Sequence, residues 1–366
     1  MQDLLYKVAL SLVPKVGAVT AKQLILHYGS AAAVFQSKPK DLLKVPGIGP
    51  QMVAHIKNPD VLKRAARECD LLDKHGIQVI SFQDSAYPNK LLQFRDSPAL
   101  LFVKGNIELN HPRIVGIVGT RKPTLEGLRH CASLIKGMAA YKPVIISGLA
   151  YGIDICAHQE ALQASLPTWA IIAHGHQYVY PASHRKIAHS IYEDGGALIS
   201  EYSFSTRAEK EFFPMRNRIV AGLCDALIVV ETAKRGGSMI TAQLANQYNK
   251  DVFAIPGRLQ DPYSKGCNHL IKSHQAALIE RAEDLAYVLR WESPGKGQGI
   301  QQEMFLELPQ EEKNIVDLLR NYPILGIDQM ALYLSTSSSF LSGQLLTLEF
   351  KGIVKSLPGS RYCLLV

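Results

Sequence analysis

The chain has 366 residues, 47% of them hydrophobic and 20% charged, with a net charge of +8. That composition is globular and sized for two or three domains, which excludes a disordered or fibrous protein. The surplus of Lys and Arg favours a polyanionic partner, and six scattered cysteines without a C-x-x-C pair argue against a zinc site and a disulfide framework.

In chain order, residues 1–75 read as helical. Met1–Val13 lacks the basic start and small-residue cleavage site of a signal peptide, and no apolar run anywhere reaches the ~18 residues of a membrane span. The expectation is a cytoplasmic protein with no membrane association. Val45-Pro46-Gly47-Ile48-Gly49-Pro50 followed by Met52-Val53-Ala54 fits a helix-hairpin-helix, with a weaker copy at Val13–Gly17 before Thr20. Such hairpins offer backbone N–H groups to a phosphate without reading bases, so Gly47 and Gly49 are secondary candidates for DNA contact. The competing reading is that the hairpins only pack this SAM-like helical domain.

Residues 76–291 alternate apolar runs with helical patterns. The runs Ile114–Val118, Val144–Ser147, Trp169–Ala173, Ala197–Ser200, Ala226–Val230 and Val252–Ile255 predict buried strands, and Leu125–Ala140 and Ile153–Ala164 predict helices between them. The fold class is α/β, a Rossmann-like, doubly wound, mostly parallel sheet whose ligands bind beyond the carboxyl ends of its strands. Residues 292–307, which include Ser293-Pro294-Gly295, read as a flexible linker. In residues 308–366, Glu311–Leu319, Ile327–Leu334 and Ser338–Phe350 predict three helices, and Lys351–Lys355 with Pro358–Leu364 a two-stranded wing. That pattern is a winged helix, and its recognition helix is so poor in Lys and Arg that a protein contact is favoured over duplex DNA.

The glycine-rich turns carry the chemistry. The first strand ends in Gly119-Thr120-Arg121, the second in Ser147-Gly148-Leu149-Ala150-Tyr151-Gly152-Ile153-Asp154, and a later helix opens after Arg235-Gly236-Gly237-Ser238 with Thr241 one turn inside. Glycines at strand ends and helix N-termini bring N–H groups to an anion, so three such turns on one edge form a phosphate-binding rim. The first turn is not G-x-G-x-x-G, the second strand ends without an acid for a ribose hydroxyl, and no P-loop exists. No cofactor is therefore expected. His174-Gly175-His176 invites a metal reading, but no cysteine or carboxylate is placed to complete a ligand set.

Further segments extend the pattern: Tyr87-Pro88, Asp96-Ser97-Pro98-Ala99, Ala157-His158, Tyr180-Pro181, Ser200-Glu201, Phe213-Pro214-Met215-Arg216-Asn217-Arg218 and Val252–Gly257. Taken in order with the turns, over about two hundred residues, they resemble the DprA (Smf) family. The resemblance implies a non-enzymatic protein that binds single-stranded DNA whatever its sequence, forms a homodimer, and protects incoming DNA and loads RecA recombinase onto it during natural transformation. It implies phosphate or DNA contacts from Gly119, Thr120, Arg121, Ser147, Gly148, Ala150, Gly152, Asn217, Gly237, Ser238 and Thr241, with Arg216 and Arg218 as a basic lip to the same pocket. Arg235 and Lys186 are secondary candidates. For Arg218 the competing reading is an ion pair with Glu201 or Glu231. Asp154 reads as a structural acid that caps N–H groups or orients an arginine. After Asn268–Ile271 many family members have a Gly-Ala pair where this chain reads Lys272-Ser273-His274-Gln275-Ala276-Ala277, in a region associated with dimerisation.

The rival function is a nucleotide phosphoribohydrolase of the LOG type, which uses a P-G-G-x-G-T-x-x-E loop with a catalytic Glu. Here the corresponding stretch, Arg235 to Gln243, lacks that Glu.

Overall fold

Short, mostly apolar runs form the sheet of the first of two compact units, Met1–Trp291 and Glu292–Val366. The computed structural model describes residues 2–291, 309–322, 324–351, 353–357 and 360–364; the expected linker at 292–307 lies outside them. The described strands of the first unit are β1 (Gln78–Ser81), β2 (Leu100–Lys104), β3 (Ile114–Val118), β4 (Val144–Ser147), β5 (Thr168–Ile171), β6 (Ala197–Ser200), β7 (Ala226–Val229), β8 (Asp251–Ala254) and β9 (Ala277–Leu278). Their order in one sheet is β1-β2-β6-β5-β4-β3-β7-β8-β9. From β6 to β9 all neighbours are parallel, while β2 pairs antiparallel with β6 and with β1.

Every residue of β3 to β7 is buried, as strands covered on both faces require. The pleat divides β3 between two cores. Val115 and Ile117 pack with Cys131, Ile135 and Ala157 of the helices Leu125–Met138 and Ile153–Gln163. Ile114 and Val118 pack with Ile219, Leu223, Met239 and Ala242 of the helices Phe212–Leu223 and Gly237–Gln247.

The chain winds outward from β3 through β4, β5 and β6, then returns to the other side of β3 with β7, β8 and β9. Its direction of winding reverses between β3 and β7. The crevice beyond the carboxyl ends of those two strands is the place where such sheets bind ligands.

Residues 2–74 supply six helices. Their apolar sides share one cluster with Leu100 and Phe102 of β2, while Leu101 and Val103, on the other face of the same strand, belong to the main sheet core. The change at residues 75/76 is thus one of secondary structure within a shared core. In the hairpin, Val45 and Ile48 are buried and Gly47 is exposed at φ +82°, while Gly49 precedes the helix Pro50–Ile56.

The second unit has the helices Gln310–Asn321, Ile327–Leu334 and Ser338–Phe350. Its strands β10 (Leu325–Gly326), β11 (Val354–Leu357) and β12 (Arg361–Leu364) form an antiparallel sheet in the order β10-β12-β11. Ile315, Leu319, Met330, Leu341, Leu345 and Val354 make its core, and the buried Glu312 pairs with Lys351 at 2.7 Å. Among the described residues no helix is long and apolar enough to cross a membrane.

Candidate nucleic-acid interface

A cleft of about 540 Å3 opens at the reversal point, walled by the segments that leave β3 and β7. Gly119, Thr120, Arg121 and Lys122 form one wall, and Gly236, Gly237, Ser238 and Thr241 contribute another. The Thr120 N–H donates to the Glu231 carbonyl at 2.7 Å and ties the two strand ends together. The Glu231 carboxylate accepts from the N–H (2.9 Å) and the hydroxyl of Thr124, whose Oγ1 also caps the helix Leu125–Met138 by accepting from Gly127 N–H at 3.0 Å. Glu231 therefore shapes the first turn.

Arg121 is exposed on the cleft wall, with its guanidinium 5.7 Å from the centre of the Phe213 ring and no ion pair among the described residues. On the other wall the eleven-residue helix Gly237–Gln247 begins with Gly236 as its N-cap and no side-chain cap. The Ser238 hydroxyl is buried there without a hydrogen-bond partner. Uncapped N–H groups at the positive end of a helix dipole, an unsatisfied hydroxyl and the exposed cations Arg121 and Lys122 in one cleft make an anion site.

The second turn contributes differently from expectation. Of its candidates only Ala150 lines the main cleft. Ser147 is sealed in the core, where its Oγ donates to the Ile117 carbonyl at 2.6 Å. Gly148 lies under Arg216, so that a Cβ there would fall 2.4 Å from the guanidinium. Gly152, at φ +79°, leaves space for the first turn: a Cβ would stand 2.2 Å from the Thr120 carbonyl, which accepts from Ile153 N–H at 3.2 Å. Ser147 and Gly152 build the site from behind, and Gly148 packs under Arg216.

The basic lip expected of Arg216 and Arg218 is also corrected. Arg216 is only 4% exposed and lies in the cleft floor, donating to the carbonyls of Gly148 (2.6 Å) and Ile171. Asp154 stands beside it, accepting from the N–H groups of Gly148 and Ala150. Burial pushes the Asp154 carboxyl above its ordinary range, and the charge of Arg216 opposes that rise. Burial pulls Arg216 down, and Asp154 opposes it in turn. Arg218 is not among the residues lining the cleft; it pairs with Glu201. Two helical steps turn a side chain by about 200°, so only one of the two arginines can face the cleft. Arg216 falls at i, i+3, i+4, i+7 spacing with Ile219, Val220 and Leu223, all buried, and that stripe is the sequence signal for its burial. Asn217 lines the cleft.

Sequence reasoning missed an aromatic notch next to the cleft. Arg121, Gly148, Tyr151, Tyr180, Pro181 and Phe213 line it. Tyr151 and Tyr180 are half exposed, at 49% and 50%, and the Tyr180 ring centre lies 5.5 Å from that of Phe213. Arg235 and Lys186 are exposed but line neither depression.

Residues 78–290 match the model of a family described as DNA recombination-mediator protein A. The chain is 33% identical to Protein Smf of Escherichia coli over 79% of its own length and 78% of the relative's. It is 40% identical to the DNA processing protein DprA of Streptococcus pneumoniae over 56% and 72%. The crystal structure of that pneumococcal protein superposes with a TM-score of 0.61 at 33% identity, covering 79% of this chain and 97% of the other. The DNA processing protein A of Helicobacter pylori, whose structure was described for its single-stranded DNA binding mode, gives 0.53 at 30% identity, covering 59% and 98%.

Proposed function

This chain belongs to the DNA recombination-mediator protein A (DprA/Smf) family, and from that premise we propose that it binds single-stranded DNA by gripping the phosphodiester backbone in the cleft between β3 and β7. The observation that carries this reading is the pairing of an uncapped helix end and a buried, unpartnered Ser238 hydroxyl with Arg121 and Lys122 in one cleft. Phosphate contacts of this kind hold a strand without reading its sequence. The half-exposed Tyr151 and Tyr180 beside Arg121 supply rings on which any base can stack.

Among the described residues the one carboxylate lining the cleft is Asp154, buried in the field of the Arg216 charge and held by two backbone N–H groups. The rival chemistry relies on a carboxylate, and a carboxylate acting as general acid or base has to be free to exchange a proton with substrate. This favours binding over the phosphoribohydrolase chemistry of LOG-type proteins. On the same reading the protein works in the cytoplasm during transformation, protects incoming strands and passes them to RecA. It is a homodimer through the segment Leu270–Ile279, where Leu278 of the edge strand β9 is 47% exposed. The three helices and hairpin of the second unit support a winged helix, and exposed Leu332, Leu346 and Phe350 favour a protein partner for it.

A gel shift comparing oligo(dT) with duplex DNA, run beside an AMP-hydrolysis assay, tests the central claim. Binding of the single strand without AMP turnover is expected. Steady turnover that disappears with Arg121→Ala would transfer the cleft to the enzyme reading.

A further inference from the structure

The segment His174–His184 leads from β5 into the helix Arg185–Glu193 and has a buried histidine at each end. Neither lines the phosphate cleft. His174 is 1% exposed and both its ring nitrogens are engaged: Nε2 lies 3.1 Å from the Tyr180 N–H, and Nδ1 lies 2.9 Å from the Gly175 carbonyl. A backbone N–H only donates and a carbonyl only accepts, so Nε2 is bare and Nδ1 carries the proton. Burial also lowers the proton affinity of this ring, which keeps it neutral.

His184 repeats the device at the other end. Its Nδ1 donates to the Leu149 carbonyl at 2.9 Å, and its ring meets that of Tyr151 edge-on, with centres 4.9 Å apart. Leu149 sits at φ +58°, a left-handed conformation unfavourable for leucine, so the turn that presents Tyr151 needs an outside hold. One imidazole therefore fixes the backbone of Tyr180, and the other fixes the carbonyl two residues before Tyr151 and flanks its ring. The two tyrosines share the notch with Arg121 and Phe213.

We propose that His174 and His184 are positioning residues that hold Tyr180 and Tyr151 as a stacking platform for nucleobases, so that the notch takes a base while the adjoining cleft takes the phosphates. This rests on the reading of the cleft as a single-strand site. It gives the His174-Gly175-His176 motif a role in DNA recognition through its first histidine. His176 is separate from it, with Nε2 2.9 Å from the Phe102 carbonyl.

The test uses the full chain and two probes, oligo(dT) and an abasic phosphodiester oligomer of equal length, with affinity followed by fluorescence anisotropy over a range of salt. His174→Ala should weaken oligo(dT) binding about 5- to 50-fold and leave both abasic binding and the salt slope unchanged. Tyr180→Ala should do the same, and the double variant should be no weaker than Tyr180→Ala alone. His174→Gln, whose amide oxygen reaches the Nε2 position, should recover part of the loss. Equal losses on both probes, or additive effects, would reduce His174 to a general structural role and overturn the proposal. If His174→Ala does not fold, the exposed Tyr180→Ala and Tyr151→Ala decide: unchanged oligo(dT) affinity in both overturns it. A wild-type protein that binds neither probe overturns the single-strand reading itself, whereas wild-type binding with no preference for oligo(dT) over the abasic strand overturns only the platform.

Discussion

Replacing Arg121 by alanine separates binding from folding. The side chain is exposed on the cleft wall and makes no ion pair among the described residues. Its contact with the fold is the Phe213 ring at 5.7 Å, an exposed cation–π pair worth about 0.5–1 kcal/mol. Its positive charge also acts unfavourably on the buried Arg216 and favourably on Asp154, and the substitution removes both effects. The two effects oppose each other, so the melting temperature should move little. Binding should behave otherwise. A hydrogen-bonded contact from a guanidinium to phosphate contributes about 1.5–3 kcal/mol, so Kd for oligo(dT) should rise roughly 10- to 150-fold. One lost phosphate contact should also flatten the plot of log affinity against log salt by about 0.7. Anisotropy titrations at four or five salt concentrations, with melting curves on the same preparations, measure all three quantities. A folded Arg121→Ala protein with wild-type affinity and slope would refute the assignment of phosphate to this turn, and so would a loss of affinity explained by a large fall in melting temperature.

Arg218→Met should show the opposite signature, because it strands the largely buried Glu201 carboxylate without its partner: about 3–5 kcal/mol of stability lost in urea unfolding, with little change in the DNA affinity of folded protein. His158 is fully buried, its Nδ1–H donates to Thr168 Oγ1, its Nε2 has no partner, and burial pushes its pKa down to about 3. The unfolded chain takes up this proton near pH 6.5 and the folded chain does not, so stability is full above pH 6.5 and falls as the pH drops toward 3. The loss from this group is about 2 kcal/mol at pH 5, and in thermal melts His158→Met should flatten the decline between pH 7 and pH 5. Truncation after Trp291 should leave a folded protein that still binds single strands, since that residue ends the first compact unit; loss of binding in the gel shift would move the DNA site to the second unit.

The strands β3 to β8 were legible because burial on both faces demands unbroken apolar runs, and glycine directly follows β3 and β4. The edge strands were not. β1 and β9 have two to four residues with exposed members, and a segment that short carries no period. β2, which contains the apolar run Leu100–Val103, is not among the strands expected from the sequence. Arg121 and Gly237-Ser238 could be placed from their position after strands and before a helix. Ser147 and Gly152 follow the same rule yet line neither depression, and Gly148 reaches only the notch, because position after a strand does not say on which side of the turn the cleft lies. Tyr151 and Tyr180 come from different loops, and only the folded sheet brings them to one notch.

The shared core beneath residues 2–74 has a consequence for how the molecule comes apart. Leu100 and Phe102 belong to the helical cluster, while Leu101 and Val103 of the same strand belong to the cluster that reaches Ile114 and Val118 of β3. Stripping the helices away would expose one face of β2 and leave the other without backing. The helices and the sheet therefore form one cooperative unit, whose calorimetric and van't Hoff enthalpies should agree for a single transition of the first unit. A cavity made at Leu24 or Leu72, in the helical cluster, would be felt as increased opening of the strands that carry Arg121, with no contact between the substituted residue and DNA.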